Sequence, residues 1–469
     1  MFYSVFSGLF VSSVLTVVDV CANPLPPPPT GFSVPINRSF HQRPPVNSSS
    51  LPVCNVQPIK HECKGLQLKY RDVDKNFNNG IQFGPIFDTG NMYETAEAFI
   101  PPVLAQTHAT TSLKDFMAEN LDMMYYGSVK VGTPPQELTV DIDTGSADLW
   151  FPWNCPDCTN KQFEDFKSST CKNSDESFSI CYGSGEVYGT LMQETVSIGG
   201  LEVQDQWFGG VSEVSGDFNN LPNDGLVGLA FGSIAQCGKP TIFENLIANG
   251  KVSPSIFSVH LARHGGRDDS SLCFGCIDYR FMLKPLDPIV WVPVLTKAYW
   301  SVPMDGMVVD EKRELQVPTP VRAMIDTGTT LIYLPQAVAS AFYAMVRSIS
   351  ILSIAVPPTC RHQIPGSKRA LQFGPEFYTY PCSTALNIEF VFAGHRFPIN
   401  IADFNLGMTE PNSPDCVGGI LSLSPDDFPS DLAIIGDEFL KSWYSIFDYS
   451  GGPDGCARVG FSPSINNGR

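Results

Sequence analysis

The sequence predicts a mostly-β protein built around one site shared by two lobes. Short apolar runs broken by Gly, Pro, Asn and Asp fill the chain from Met123 onward. Tyr125-Tyr126-Gly127-Ser128-Val129-Lys130-Val131-Gly132 and Trp291-Val292-Pro293-Val294 are examples. Gly and Pro number 39 each, which favours turns and short strands over long helices. The third observation is a repeat: Asp143-Thr144-Gly145 recurs as Asp326-Thr327-Gly328, each after an apolar run and before a hydroxyl residue, Ser146 or Thr329. The 469 residues allow two or three domains, each with its own core.

Taken in chain order, residues 1–22 read as a secretion signal. Residues 2–20 are mostly apolar, and Val20-Cys21-Ala22 offers small residues for cleavage, although no Lys or Arg precedes the apolar stretch. Residues 23–31 are Pro-rich and predict an extended lead-in. Residues 23–112 have an irregular pattern and a net charge of +1, whereas residues 113–469 carry 23 basic and 41 acidic groups. A slightly basic segment before an acidic body predicts an electrostatically docked pro-segment; a flexible linker is the alternative. Both Asn-x-Ser acceptors, at Asn37 and Asn47, lie in it, so any N-glycan would leave with it. The body divides at 292/293 into an N-terminal and a C-terminal lobe. Its clearest helical patch spans 335–350. Each Asp-Thr-Gly has a distant apolar-apolar-Gly partner, Leu226-Val227-Gly228 and Ile434-Ile435-Gly436, expected to lie beside it.

The net charge of −18 argues against nucleic acid or an anionic membrane surface as partner. It fits a soluble secreted surface or one suited to acid, where few ion pairs are lost when carboxylates protonate. No other long apolar stretch follows the signal, and the C-terminal tail is polar, so no membrane anchor is expected. Fourteen cysteines in an exported chain imply disulfides; losing Cys21 leaves thirteen, so at least one is free or pairs elsewhere. Cys273-Phe274-Gly275-Cys276 has the spacing of a metal or redox motif, but no matching second pair accompanies it. No metal or cofactor is expected.

Two carboxylates held close share one proton, because like charges at short range cannot both ionise. One then serves as base while the other serves as acid. Asp143-Thr144-Gly145-Ser146-Ala147-Asp148-Leu149-Trp150 and Asp326-Thr327-Gly328-Thr329-Thr330-Leu331 closely resemble the loops of pepsin-like aspartic endopeptidases, over roughly residues 113–469. Secreted fungal members are the most similar. The resemblance implies a bilobal, all-β double barrel with a cleft between the lobes, acting on polypeptides as a monomer made as a zymogen. It implies catalytic Asp143 and Asp326. Thr144 and Thr327 would cross-link the loops, Gly145 and Gly328 would aim amides at the carboxylates, and Ser146 and Thr329 would bond their outer oxygens.

Tyr182-Gly183-Ser184-Gly185 resembles the family's flap over the substrate, with Tyr182 bonding Trp150 and walling the S1 pocket. Phe218, Leu221 and Leu226 fall where the family lines S1 and S3, or are plain core. Asp141 departs from pepsin, which has an apolar residue there. Two positions before Asp143 on a strand, it shares that residue's face. It would admit Lys to S1 or raise the pair's apparent pKa, or else be satisfied by backbone away from substrate. Asp88-Thr89-Gly90 is a decoy, followed by Asn91 and too near Asp143 to head a lobe. Lys69-Tyr70 resembles the pro-segment pair that neutralises the carboxylates in family zymogens, though pepsinogen's segment is far more basic. The resemblance also implies a Cys382–Cys416 bridge and a Cys155–Cys158 bridge, with Cys171 or Cys181 as competitors for the latter. The partners of Cys237, Cys273, Cys276, Cys360 and Cys456 stay open. The alternatives to an acid endopeptidase are an inactive relative that binds or inhibits, and a structural cell-wall protein. Secretion is expected, with a vacuolar location the alternative.

Overall fold

The computed structural model describes residues 51–82, 108–118, 121–182, 185–215, 218–263, 270–310, 313–346, 366–450 and 455–468. The signal at 1–22, the Pro-rich lead-in, both Asn-x-Ser acceptors, Asp88-Thr89-Gly90, Gly183, Ser184 and Cys360 lie outside those residues.

The described chain is mostly β, in sheets of thirteen, seven and four strands and one two-stranded pair. The largest sheet joins first-half strands to three later ones, Val290–Pro293, Trp443–Asp448 and Arg458–Pro463. Trp443–Asp448 pairs antiparallel with Ile256–His260. The lobes therefore share a sheet, and the chain's end returns across the division at 292/293. The expected boundary at 112/113 falls inside strand Ala109–Ala118, which pairs with Ser270–Phe274 and Leu121–Val131. Both edges of that strand are thereby satisfied. The seven-stranded sheet carries the second Asp-Thr-Gly.

Each Asp loop has the predicted neighbour. Strand Gln136–Asp143 lies parallel to Gly225–Gly228, with Asp143 opposite Gly228. Strand Arg313–Ile325 lies parallel to Leu432–Ile435, with Ile325 opposite Ile435. Apolar side chains on these strands reach the core: Val140, Ile142, Val227, Ile325 and Ile435 are all buried. The helix expected over 335–350 is Gln336–Met345.

Within residues 23–112, where an irregular pattern was expected, two helices form. Val56–Lys69 is a helix, α1, capped by Asn55, whose side chain accepts from the Gln57 amide at 3.0 Å. A second helix, α2, spans Val73–Asn79. Val56, Ile59, Leu66 and Tyr70 bury one face of this segment against Met324, Leu331 and Tyr333 of the body. Most of α1's other residues are polar, so its stability comes from that packed face rather than from propensity.

Cys382–Cys416 and Cys155–Cys158 are bonded, as is Cys273–Cys276, so the two cysteines of the Cys-x-x-Cys motif are joined to each other. Cys456 is also disulfide-bonded. Cys63, Cys171, Cys181 and Cys237 are free thiols.

Candidate active site

Asp143 ends one strand and Asp326 follows another, and the two loops interlock at the junction of the lobes. Thr144 N–H donates to Thr327 Oγ1 at 3.1 Å, and Thr327 N–H donates to Thr144 Oγ1 at 3.0 Å. Each hydroxyl in turn donates to a backbone carbonyl of the opposite loop, Thr144 to Ile325 at 2.8 Å and Thr327 to Ile142 at 2.6 Å. Both threonines are buried, so water cannot replace these bonds. The lattice fixes the separation of the flanking carboxylates.

The carboxylates are held alike. Gly145 N–H donates to Asp143 Oδ1 at 2.8 Å and Gly328 N–H to Asp326 Oδ1 at 3.0 Å. Ser146 Oγ donates to Asp143 Oδ2 at 2.6 Å, and Thr329 Oγ1 to Asp326 Oδ2 at 2.5 Å. Glycine is required by contact across the pair. A Cβ on Gly145 would stand 2.5 Å from Asp326 Oδ1, and one on Gly328 would stand 2.4 Å from Asp143 Oδ1.

Lys69, the last residue of α1, fills the space between them. Its Nζ lies 2.9 Å from Asp143 Oδ1 and 3.0 and 2.8 Å from the two oxygens of Asp326. Tyr70 adds a hydroxyl bond to Asp326 Oδ2 at 2.8 Å. Lys69-Tyr70 thus sits where the sequence placed it. Burial raises Asp143 above the ordinary carboxylate range despite Lys69. Burial pulls Asp326 the same way, but the Lys69 charge and the bonds from Lys69 and Thr329 outweigh it, leaving Asp326 low.

Asp141 lies near the pair, is buried, and its Oδ1 has no hydrogen-bond partner. Burial and then the charge of Asp143 push its carboxyl well up. Trp150, Tyr182, Phe218 and Leu226 form one buried cluster, with Leu221 packed against it. Tyr182 and Trp150 are in ring contact, their centroids 6.3 Å apart, with the Tyr182 hydroxyl and Trp150 Nε1 both buried. Phe218 packs edge-on to both rings, at 5.2 Å from Trp150 and 5.8 Å from Tyr182. Tyr182 pairs with Gly185 where strands Lys172–Tyr182 and Gly185–Ile198 run antiparallel.

Three features escaped the sequence reading. Glu62 of α1 accepts from Thr330 N–H and from Tyr333 O–H, both at 2.5 Å. Asp437, directly after Ile434-Ile435-Gly436, is buried with neither carboxyl oxygen hydrogen-bonded. Burial drives it well up, against the pull of Lys441. Lys441 itself is buried between Asp122 at 2.9 Å and Glu438 at 3.1 Å.

A mostly-β fold carrying paired, interlocked Asp-Thr-Gly loops defines the class as aspartic-type endopeptidase. The chain belongs to the eukaryotic aspartyl protease family, whose model matches residues 124–462. It is 33% identical to an aspartic protease of Phaffia rhodozyma, over 73% of this chain and 77% of the relative. It is 32% identical to embryonic pepsinogen of Gallus gallus, over 74% and 84%. Major aspartyl peptidase 1 of Cryptococcus neoformans is 31% identical, over 76% and 73%. Among the described residues no helix is long and apolar enough to cross a membrane.

Proposed function

We propose that this chain is the zymogen of a secreted, monomeric acid endopeptidase in which Asp143 and Asp326 activate one water between them. The observation that carries the reading is one lysine nitrogen of the chain's own N-terminal segment bonded to both carboxylates. A single cation reaching both oxygens means that the two acids are close enough to share a proton once it leaves. The ionised member takes a proton from water as it attacks the scissile carbonyl. The other donates to the carbonyl oxygen, and a proton is returned to the leaving amine. Gly145, Gly328, Ser146 and Thr329 orient the carboxyls, and the Thr144–Thr327 lattice holds their distance. The hairpin ending at Tyr182 covers the substrate, and the apolar cluster around Trp150 favours apolar residues beside the cut bond. Asp141 stands beside the pair with its carboxyl pushed up by burial and by the charge of Asp143, which favours its neutral form in acid. The resemblance of a relative named as a pepsinogen supports the zymogen reading.

Incubating the purified precursor in acid and sequencing the new N-terminus tests latency, self-cleavage and boundary together. Hydrolysis of denatured haemoglobin at about pH 3–5, blocked by pepstatin, is expected afterwards. Near wild-type activity in Asp143→Asn would refute the mechanism.

A further inference from the structure

One motif marked by its spacing plays no part in the chemistry at the carboxylates. Cys273-Phe274-Gly275-Cys276 is bridged within itself, against strand Ala109–Ala118. Cys273 stands opposite Thr110 where that strand pairs with Ser270–Phe274, and Thr110 Oγ1 donates to Cys273 Sγ at 3.5 Å. The two sulfurs are in unlike places. Cys273 is 2% exposed, whereas Cys276, past the end of its strand, is partly open to solvent. The turn between them is pinned. Gly275 N–H donates to the Ile256 carbonyl at 2.7 Å, and Ser258 Oγ donates to the Cys276 carbonyl at 2.7 Å. The other bridges differ. Cys382 and Cys416 are both buried. Cys155–Cys158 also joins a buried cysteine to a partly exposed one, but among the described residues no hydroxyl donates to either sulfur.

We propose that Cys273–Cys276 is a thiol–disulfide exchange site, attacked at Cys276 by a small thiol of the glutathione class. The incoming thiolate forms a bond to Cys276 Sγ. The electron pair of the old S–S bond passes to Cys273 Sγ, which leaves as a thiolate and takes a proton from water. The small thiol is thereby oxidised into a mixed disulfide, and Cys273 is reduced. A second small thiolate attacks the sulfur of the first, frees Cys276 as a thiolate, and leaves with the first as their own disulfide. Direction follows from access, since packing covers Cys273 and leaves Cys276 in reach. The Thr110 hydroxyl already points at the sulfur that must accept charge. A hydrogen bond to an ionised group is stronger than one to a neutral group, so this bond favours Cys273 as the leaving group. The attacker must be a thiolate, so exchange runs near neutral pH and stops in acid.

The test uses the full precursor. Its free thiols are blocked with N-ethylmaleimide, and reduced glutathione is added at about pH 8, where a small thiol is partly ionised. Timed samples are quenched in acid, alkylated with isotopically heavy N-ethylmaleimide and mapped by peptide mass spectrometry. Heavy label is expected on Cys273, with glutathione or heavy label on Cys276, while Cys382–Cys416 stays closed. Thr110→Val is expected to slow this opening by about two- to tenfold, the worth of one hydrogen bond, and to leave the opening rate of Cys155–Cys158 unchanged. Glutathione on Cys273 would overturn the proposal. So would a Cys273–Cys276 bridge that opens no faster than Cys382–Cys416, or an opening rate unaltered in Thr110→Val. If that variant does not fold, the position of the adduct and the order of opening in the wild-type chain decide alone.

Discussion

Replacing Lys69 by Met keeps the aliphatic stem and removes the charge between Asp143 and Asp326. Lys69 is 5% exposed, and its partners are 2% and 0% exposed, so this is a buried ionic group with little solvent screening. Breaking such a group on one side typically costs about 3–5 kcal/mol, because the opposite charges stay buried and unpaired. In the docking equilibrium of the pro-segment that is a loss of about a hundred- to several-thousand-fold. The pH dependence has a definite sign. Docking depresses Asp326, so its contribution is present above the ordinary carboxylate pKa and is lost as pH falls through the docked value. Lys69 pulls Asp143 down as well, against its burial, so losing the lysine lets both carboxyls rise. Without Lys69 the main influence holding Asp326 low is gone, and only hydrogen bonds such as that from Thr329 remain against burial. Lys69→Met precursor is therefore expected to convert at higher pH than wild type and to show activity near neutral pH. Mobility on denaturing gels after timed incubations from pH 3 to 7, with a fluorogenic peptide as second readout, measures both. A Lys69→Met precursor that stays latent near neutral pH and converts with the wild-type profile would refute the argument.

Asp326→Asn is expected to reduce kcat on a peptide substrate by at least about 10²–10⁴-fold, since one partner in proton transfer is gone; near-normal turnover after maturation by an added protease would contradict it. Thr144→Val leaves Thr327 N–H and the Ile325 carbonyl without their partner in a buried lattice. A loss of about 1–3 kcal/mol for each unsatisfied group is expected in denaturant unfolding, and an unchanged midpoint would show that the lattice is not holding the lobes. Asp141→Asn removes a buried carboxyl whose folded pKa is raised by burial and by Asp143. The wild-type residue contributes stability below its unfolded pKa and loses it as pH rises, so the variant should gain Tm over wild type progressively above about pH 4. A Tm difference that does not change with pH would exclude that account.

Much of the site was legible because its chemistry is local. Asp-Thr-Gly followed by Ser or Thr places an amide and a hydroxyl within reach of the preceding carboxylate, and the structure forms both sets of bonds. Lys69-Tyr70 was legible only through its resemblance to the pro-segment pair of family zymogens. Glu62 was not, because a carboxylate on a polar segment is indistinguishable from a solvated one until its partners appear, here some 270 residues away in sequence. The helical turn of α1 was hidden likewise, since four buried residues scattered through a polar stretch gain meaning only against the surface they pack on.

The sequence by itself determined the mostly-β class, the two matching loops and the residue types that could trade a proton. Tertiary structure alone decided that Trp443–Asp448 crosses back into the first lobe's sheet, that Phe218 packs edge-on to both Tyr182 and Trp150, and that Asp437 is buried with neither oxygen bonded. The physical reason is range. Backbone and side-chain hydrogen bonds within a turn are encoded in a few consecutive residues. Desolvation and ring packing depend on which distant surfaces meet, and that is set only when the whole chain has closed.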